Sequence, residues 1–262
     1  MNAQELIKRY KSGERDFQGI DLSKAELNSA RLSEVNLRQA NLSETDLSRA
    51  RLNDANLNGA DLRNANLYEA TLRRADLREA DLRRAYLLNA HLNDADLREA
   101  DLRGAQLFQA CLDKANLSET TLNRFDMKQV SLRGADLSNA NLRGTDLRKS
   151  DLSRANLSGA DLRRADLWGC DLTRANLSGA DLRGANLGYT VMDSVNLTGA
   201  KVTNEQLTVA RTIQGAREQL QWDITGTVTE FRGSNYLLIT HAVLKTKLPE
   251  GRPGQSGLRK RD

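Results

Sequence analysis

"ADLRRAYLLNAHL", residues 80–92, returns a leucine every fifth position, at Leu82, Leu87 and Leu92. It also places Tyr86 and Leu88 where the flanking text carries Asp, Asn, Ser or Arg. The first feature decides the fold, and the second marks a surface. From Phe17 the spacing runs without insertion to Leu207, with Met127, Met192 and Val202 standing in for leucine. Two residues ahead of each leucine sits a small residue, usually Ala, and between them Asp or Asn is commonest. The unit reads A-[D/N]-L-x-x.

This spacing excludes both regular elements. At about 100° per residue, a five-residue step on an α-helix turns each leucine by roughly 140° and scatters it around the cylinder. In a continuous strand an odd period alternates the faces. The pattern is coherent only if each pentad is a short extended segment followed by a corner. Ala and Leu then point inward together, Asp or Asn points outward, and the last two residues turn the chain. Coils of such pentads stack and bond to each other through the backbone.

The repeat resembles the pentapeptide-repeat family over roughly residues 17–207. That resemblance implies an all-β fold, a right-handed quadrilateral β-helix with four pentads in each coil. The opening "ELIKRYKSGERDFQGIDL" is similar to the N-terminal cap of cyanobacterial members. The residues give an independent reason for the coil length. Tyr68, Leu88, Phe108 and Trp168 are separated by multiples of 20, so a four-pentad coil stacks them in one column. Nine to ten such coils at the spacing of paired strands make a rod about 45 Å long.

No coil can bury its own top and bottom, so the ends need caps. "AQELIKRYKSG" reads as a short helix with Leu6, Ile7 and Tyr10 on one side and Gly13 ending it. Thr203 followed by Gln206 has the spacing of a capping box that starts a helix. Beyond Gly215 the repeat is gone, and "ITGTVTEF", "RGSN" and "YLLITHAVLK" read as a β-hairpin. The expected organisation is an N-terminal helical cap over 1–16 and the β-helix over 17–209. A C-terminal cap and hairpin follow over 210–245, and a basic disordered tail over 246–262.

The 262 residues include 39 basic and 35 acidic side chains, for a net charge of +4. The repeat region itself is near neutral. Some pentapeptide-repeat proteins protect DNA gyrase by imitating duplex DNA. A rod of this length would need roughly 25 net negative charges to match the phosphate density of a duplex. The column Arg63, Arg83, Arg103, Arg143, Arg163 and Arg183 offers a rival reading as a nucleic-acid-binding rod helped by the basic tail. The adjacent column Asp61, Asp81, Asp101, Asp161 and Asp181 favours a mutually neutralised surface instead. The column of Asn36, Asn56, Asn116, Asn156, Asn176 and Asn196 reads as a structural amide stack. No apolar run is long enough to span a bilayer. No signal peptide is expected from the opening residues, and a reducing, cytoplasmic setting follows for the two cysteines.

The face holding Leu87 carries all the outward aromatics of the repeat: Tyr68, Tyr86, Phe108, Trp168 and Tyr189, with Leu88 and Arg148 among them. Aromatics beside arginine are the composition of binding hot spots. The expectation is a non-enzymatic protein–protein interaction scaffold whose partner is another protein or a second copy of this chain. Cover by the chain's own N-terminal segment or C-terminal hairpin is the alternative. Phe125 fills an inward slot that elsewhere takes a smaller residue, and Met127 replaces the neighbouring leucine, so a bulge or bend is expected there. His91 and Cys111 lie one coil apart, but a flat wall gives a thiolate neither cleft nor oxyanion donors. No catalytic residue, metal site, cofactor or small-molecule substrate is expected.

Overall fold

The computed structural model describes residues 1–210 and the three strand segments within 226–246. The expected tail and the stretch 211–225 lie outside the described residues. Every residue of a pentad has a defined place in the coil. Residues 75–79 show how the backbone is satisfied. The Ala75 amide donates to the Leu72 carbonyl across the preceding corner at 3.1 Å. The Asp76 amide donates to Ala55 in the coil below at 3.0 Å, and Leu77 and Glu79 donate to Asp96 and Arg98 in the coil above at 2.8 and 3.1 Å. The fifth amide, that of Arg78, is reached by neither neighbour and donates to the Asp76 side chain at 3.1 Å. That is the physical reason for Asp or Asn in the pattern: its side chain satisfies the one amide the coil stack leaves over.

Parallel backbone bridges join residue i to residue i+20 from Asp16↔Asn36 to Asp181↔Lys201. The coil is therefore a four-sided lap, with one bridged residue on each side. These are single-residue bridges between corners rather than strands, so the all-β reading holds in pairing but not in strand length. From residue 19 to residue 199, the second turn residue of every corner has φ between 54° and 74°. Most of these residues are not glycine, and their side chains stand at the solvent side of the corner.

The interior is one column of leucine and alanine. Leu37, Leu57, Leu77, Leu97 and their counterparts on the other sides are 0% exposed. Each buried leucine contributes on the order of 1.5–3 kcal/mol. Helix α1 (Ala3–Lys11) closes the lower end, its N-terminus capped by the Asn2 side chain, which accepts from the Glu5 amide at 2.9 Å. Leu6 is buried against the first coil, and the Tyr10 hydroxyl donates to the Ser33 carbonyl at 2.8 Å. Helix α2 (Asn204–Thr208) closes the upper end with a capping box between Thr203 and Gln206. The Gln206 amide nitrogen then donates to the carbonyls of Leu182 and Ala185 at 2.7 and 2.8 Å, covering the last coil's open edge.

The C-terminal segment departs from a simple hairpin. Strands β1 (Gly226–Phe231), β2 (Ser234–Ile239) and β3 (Ala242–Thr246) form an antiparallel sheet in the order β1-β2-β3. The run read as one strand after "RGSN" folds back on itself, pairing Ile239 with Ala242 and Asn235 with Thr246. A third strand supplies the pairing that a lone two-stranded ribbon lacks.

Candidate partner-binding face

The wall carrying Leu87 brings Tyr68, Tyr86, Leu88 and Phe108 onto three consecutive coils. Tyr86 and Phe108 are 45% and 44% exposed, while Tyr68 and Leu88 are half-buried between their neighbours. The Arg49 guanidinium lies 5.9 Å from the Tyr68 ring centre, and a hydrogen bond to Glu69 pushes the Tyr68 phenol above its ordinary pKa. Between these side chains runs a shallow groove of about 570 Å³, bordered by Arg49, Asn66, Tyr68, Tyr86 and Leu88. Tyr86 and Gln106 also replace the usual Asp or Asn. The amides of Leu88 and Phe108 consequently find no acceptor among the described residues. That pair of unspent donors follows from the repeat only once the purpose of the Asp/Asn position is known.

Trp168 and Tyr189 form a second patch on the same wall. Their rings meet edge to face at 5.6 Å between centres, and the Lys149 ammonium lies 5.7 Å from the indole. Gly188 makes room for the indole, since a Cβ there would lie 3.0 Å from Trp168 Cδ1. The two patches are not one continuous stripe. Lys128 and Arg148 stand between them, three coils separating Phe108 from Trp168, about 14 Å at the strand spacing. Arg148 is held by Asp146 through two bonds of 2.9 and 2.6 Å and lies 3.5 Å from Asp166. The Arg148 hydrogen bonds hold the Asp146 carboxyl below its ordinary pKa.

The other walls are polar and internally paired. Arg63, Arg83, Arg103, Arg163 and Arg183 each grip the aspartate two residues earlier, with closest contacts of 2.5–2.6 Å. Arg63, Arg83 and Arg163 also reach the aspartate of the next coil at 3.6–3.9 Å. Arg143 follows Asn141 rather than an aspartate and has no such grip. These guanidinium forks are largely occupied by carboxylates, which leaves little for a phosphate. In the amide column, Asn196 donates to Asn176 and Asn176 to Asn156, at 3.0 and 3.1 Å, and Asn156 ends the chain on Asp136. Asn56 and Asn116 instead accept from the amides of Asn58 and Ser118.

The irregular site lies where the two aromatic patches part. Phe125 points into the core directly above Ala105, and both are slightly opened to solvent, at 8% and 7% exposure. Met127 beside it is fully buried. The bridges 101↔121 and 106↔126, which continue the two columns, are missing from the series.

His91 and Cys111 are bridged neighbours, and the Asn93 amide nitrogen approaches the Cys111 sulfur at 2.9 Å. Cys170 is buried with its sulfur 2.8 Å from the Leu147 carbonyl, and burial pushes its thiol up to about 12. Among the described residues no three His, Cys, Asp or Glu side chains are grouped as a metal would need. No helix among them is long and apolar enough to cross a membrane.

The model of pentapeptide repeats matches eight copies, spread over residues 16–148 and 150–204. The chain belongs to the pentapeptide-repeat family. It is similar to HetL, a pentapeptide-repeat protein involved in heterocyst differentiation regulation from the cyanobacterium Nostoc sp. strain PCC 7120. The two are 36% identical over 76% of this chain and 94% of HetL, with a TM-score of 0.40. Its coil is also similar to that of QnrB1, a plasmid-mediated fluoroquinolone resistance protein. That likeness has 22% identity, covers 76% of this chain and 95% of QnrB1, and has a TM-score of 0.55. No curated protein matches the chain.

Proposed function

We propose that this pentapeptide-repeat protein is a non-enzymatic scaffold, wound right-handed as in its family, that binds another protein through the Leu87 wall. The observation that carries this reading is the contrast between walls. The walls of Leu37 and Leu82 are tiled by paired Asp, Arg and Asn side chains, and that of Leu92 carries a mixed column that includes Thr71, His91, Cys111 and Ser131, with no aromatic ring beyond the His91 imidazole. The fourth concentrates Tyr68, Tyr86, Leu88, Phe108, Trp168 and Tyr189, with one shallow groove bordered by Tyr68, Tyr86 and Leu88 and a second between Lys149, Arg148 and Trp168. A solvated rod has no use for four exposed rings on one side, whereas an interface core is built from such residues. Lys149 supplies a cation over the indole of Trp168, and Arg148, paired with Asp146, forms the polar rim beside it. The sequence likeness to HetL supports a regulatory role, exercised in a reducing cytoplasm where Cys111 and Cys170 stay thiols. A second copy of the chain is one partner the wall could accept.

The test is a cross-linking capture from native cells with the wild type and with Tyr86, Phe108, Trp168 and Tyr189 all changed to Ser. Circular dichroism must show that both are folded, since all four side chains lie outside the core. The quadruple variant is expected to lose the proteins that the wild type captures, and sedimentation velocity reports any self-association lost with them. Equal capture and equal mass for the two chains would falsify the reading.

A further inference from the structure

Phe125 does more than distort its own pentad. Between the coil of residues 99–109 and the coil of residues 118–128, backbone bonding is lost on two adjacent walls and kept on the other two. Below the gap, the amides of Leu102, Gly104, Leu107 and Gln109 have no acceptor among the described residues. Above it, those of Thr121 and Asp126 likewise donate to nothing there. On the opposite walls the stitching holds, except at the Glu99 amide on the corner that leads into the gap, which has no acceptor among the described residues. Leu92 and Leu97 donate to Cys111 and Asn116 at 2.7 and 2.8 Å, and Ser131 and Asp136 donate back to Ala110 and Ala115 at 3.0 and 2.9 Å.

The cause is steric and one-sided. Phe125 faces Ala105 below and Thr145 above, both small. The coil of Thr145 is tied down onto that of Phe125: the Thr145 hydroxyl donates to the Leu122 carbonyl at 2.6 Å, and the Asp146 amide donates to the Phe125 carbonyl at 2.9 Å. The ring therefore spreads the lower contact, and the core beneath stays closed, with Leu102, Leu107 and Met127 at 2%, 1% and 0% exposure.

We infer that this seam is a hinge built into the rod: Phe125 wedges two walls apart, the opposite two walls act as the spine, and the halves below and above rock about it. The aromatic groups at Phe108 and Trp168 lie on the opening side, one in each half. Rocking changes the distance between them.

Hydrogen–deuterium exchange on the intact protein decides the matter. Amides of 99–109 and 118–128 are expected to exchange faster than those of 37–57 and 147–167, on the order of tenfold or more, because opening there breaks fewer bonds. Changing Phe125→Ala together with Met127→Leu restores the repeat and is expected to slow the seam to the rate of its flanks. Seam and flank amides equally slow in the wild type would overturn the hinge, whatever the fate of the double variant. A folded double variant whose seam still exchanges fast would overturn the role of Phe125.

Discussion

At position 76 a single carboxylate serves two donors of one residue, the Arg78 amide at 3.1 Å and the Arg78 guanidinium at 2.7 and 2.8 Å. The same double use recurs at Asp61, Asp101, Asp161 and Asp181. The two services can be separated by substitution. Asp161→Asn keeps an acceptor for the Arg163 amide and loses only an ion pair open to solvent. Its stability in urea should fall by no more than a few tenths of a kcal/mol. Asp161→Ala loses the amide acceptor as well and should cost about 1 kcal/mol. The inward positions are less forgiving: Leu67, 0% exposed, should cost about 2–5 kcal/mol when changed to Ala, since the stacked coils cannot collapse into the void. At Gly188, Ala would meet the indole at 3.0 Å. The Gly188→Ala protein should show a shifted Trp168 emission, read in a Trp222→Phe background. Inside and outside were legible residue by residue from the five-residue period. The role of Asp and Asn as amide acceptors was not, because periodicity shows where a side chain points and not which backbone group is left unpaired.

The paired walls give the coils a defined response to acid. The guanidinium hydrogen bonds hold the carboxyls of Asp61, Asp76, Asp101, Asp161 and Asp181 below their ordinary values. A carboxyl with a lowered pKa in the folded chain stabilises it above the unfolded value, near 3.9. That contribution is lost as pH falls through the folded value. The thermal midpoint should therefore be flat from pH 7 to about pH 5 and drop below about pH 4. A chain with Asp61, Asp101, Asp161 and Asp181 all changed to Asn should show a shallower drop; an unchanged slope would remove these walls from the acid response. At the element scale the caps were legible from local signals, the capping-box spacing of Thr203 and Gln206 and the apolar side of α1. The division of the C-terminal run into β2 and β3 was not, since a ten-residue apolar stretch fits one strand as well as two short ones. The sequence likewise marks Phe125 as oversized without saying which neighbouring coil yields, because Ala105 and Thr145 are both small.

Over the whole molecule, stability comes from stacking, and the two ends are where it is most exposed to failure. Leu6 is the only side chain of α1 that is fully buried. Leu6→Asp should undock α1 and leave the first coil's carbonyls and amides open along its lower edge. Rods with such an edge pair end to end, so sedimentation velocity should show concentration-dependent oligomers larger than any the wild type forms.

A lap of 20 residues cut into four equal sides also makes the walls a dial. Excising one pentad, residues 151–155, lets the coils re-register and costs little stability, yet it turns Trp168 and Tyr189 a quarter of the way round from Tyr86 and Phe108. Excising the full lap 141–160 shortens the rod and leaves the dial where it was. A partner that reads both halves together should tolerate the longer cut better than the shorter one, so sequence length can vary freely in this architecture only in whole revolutions.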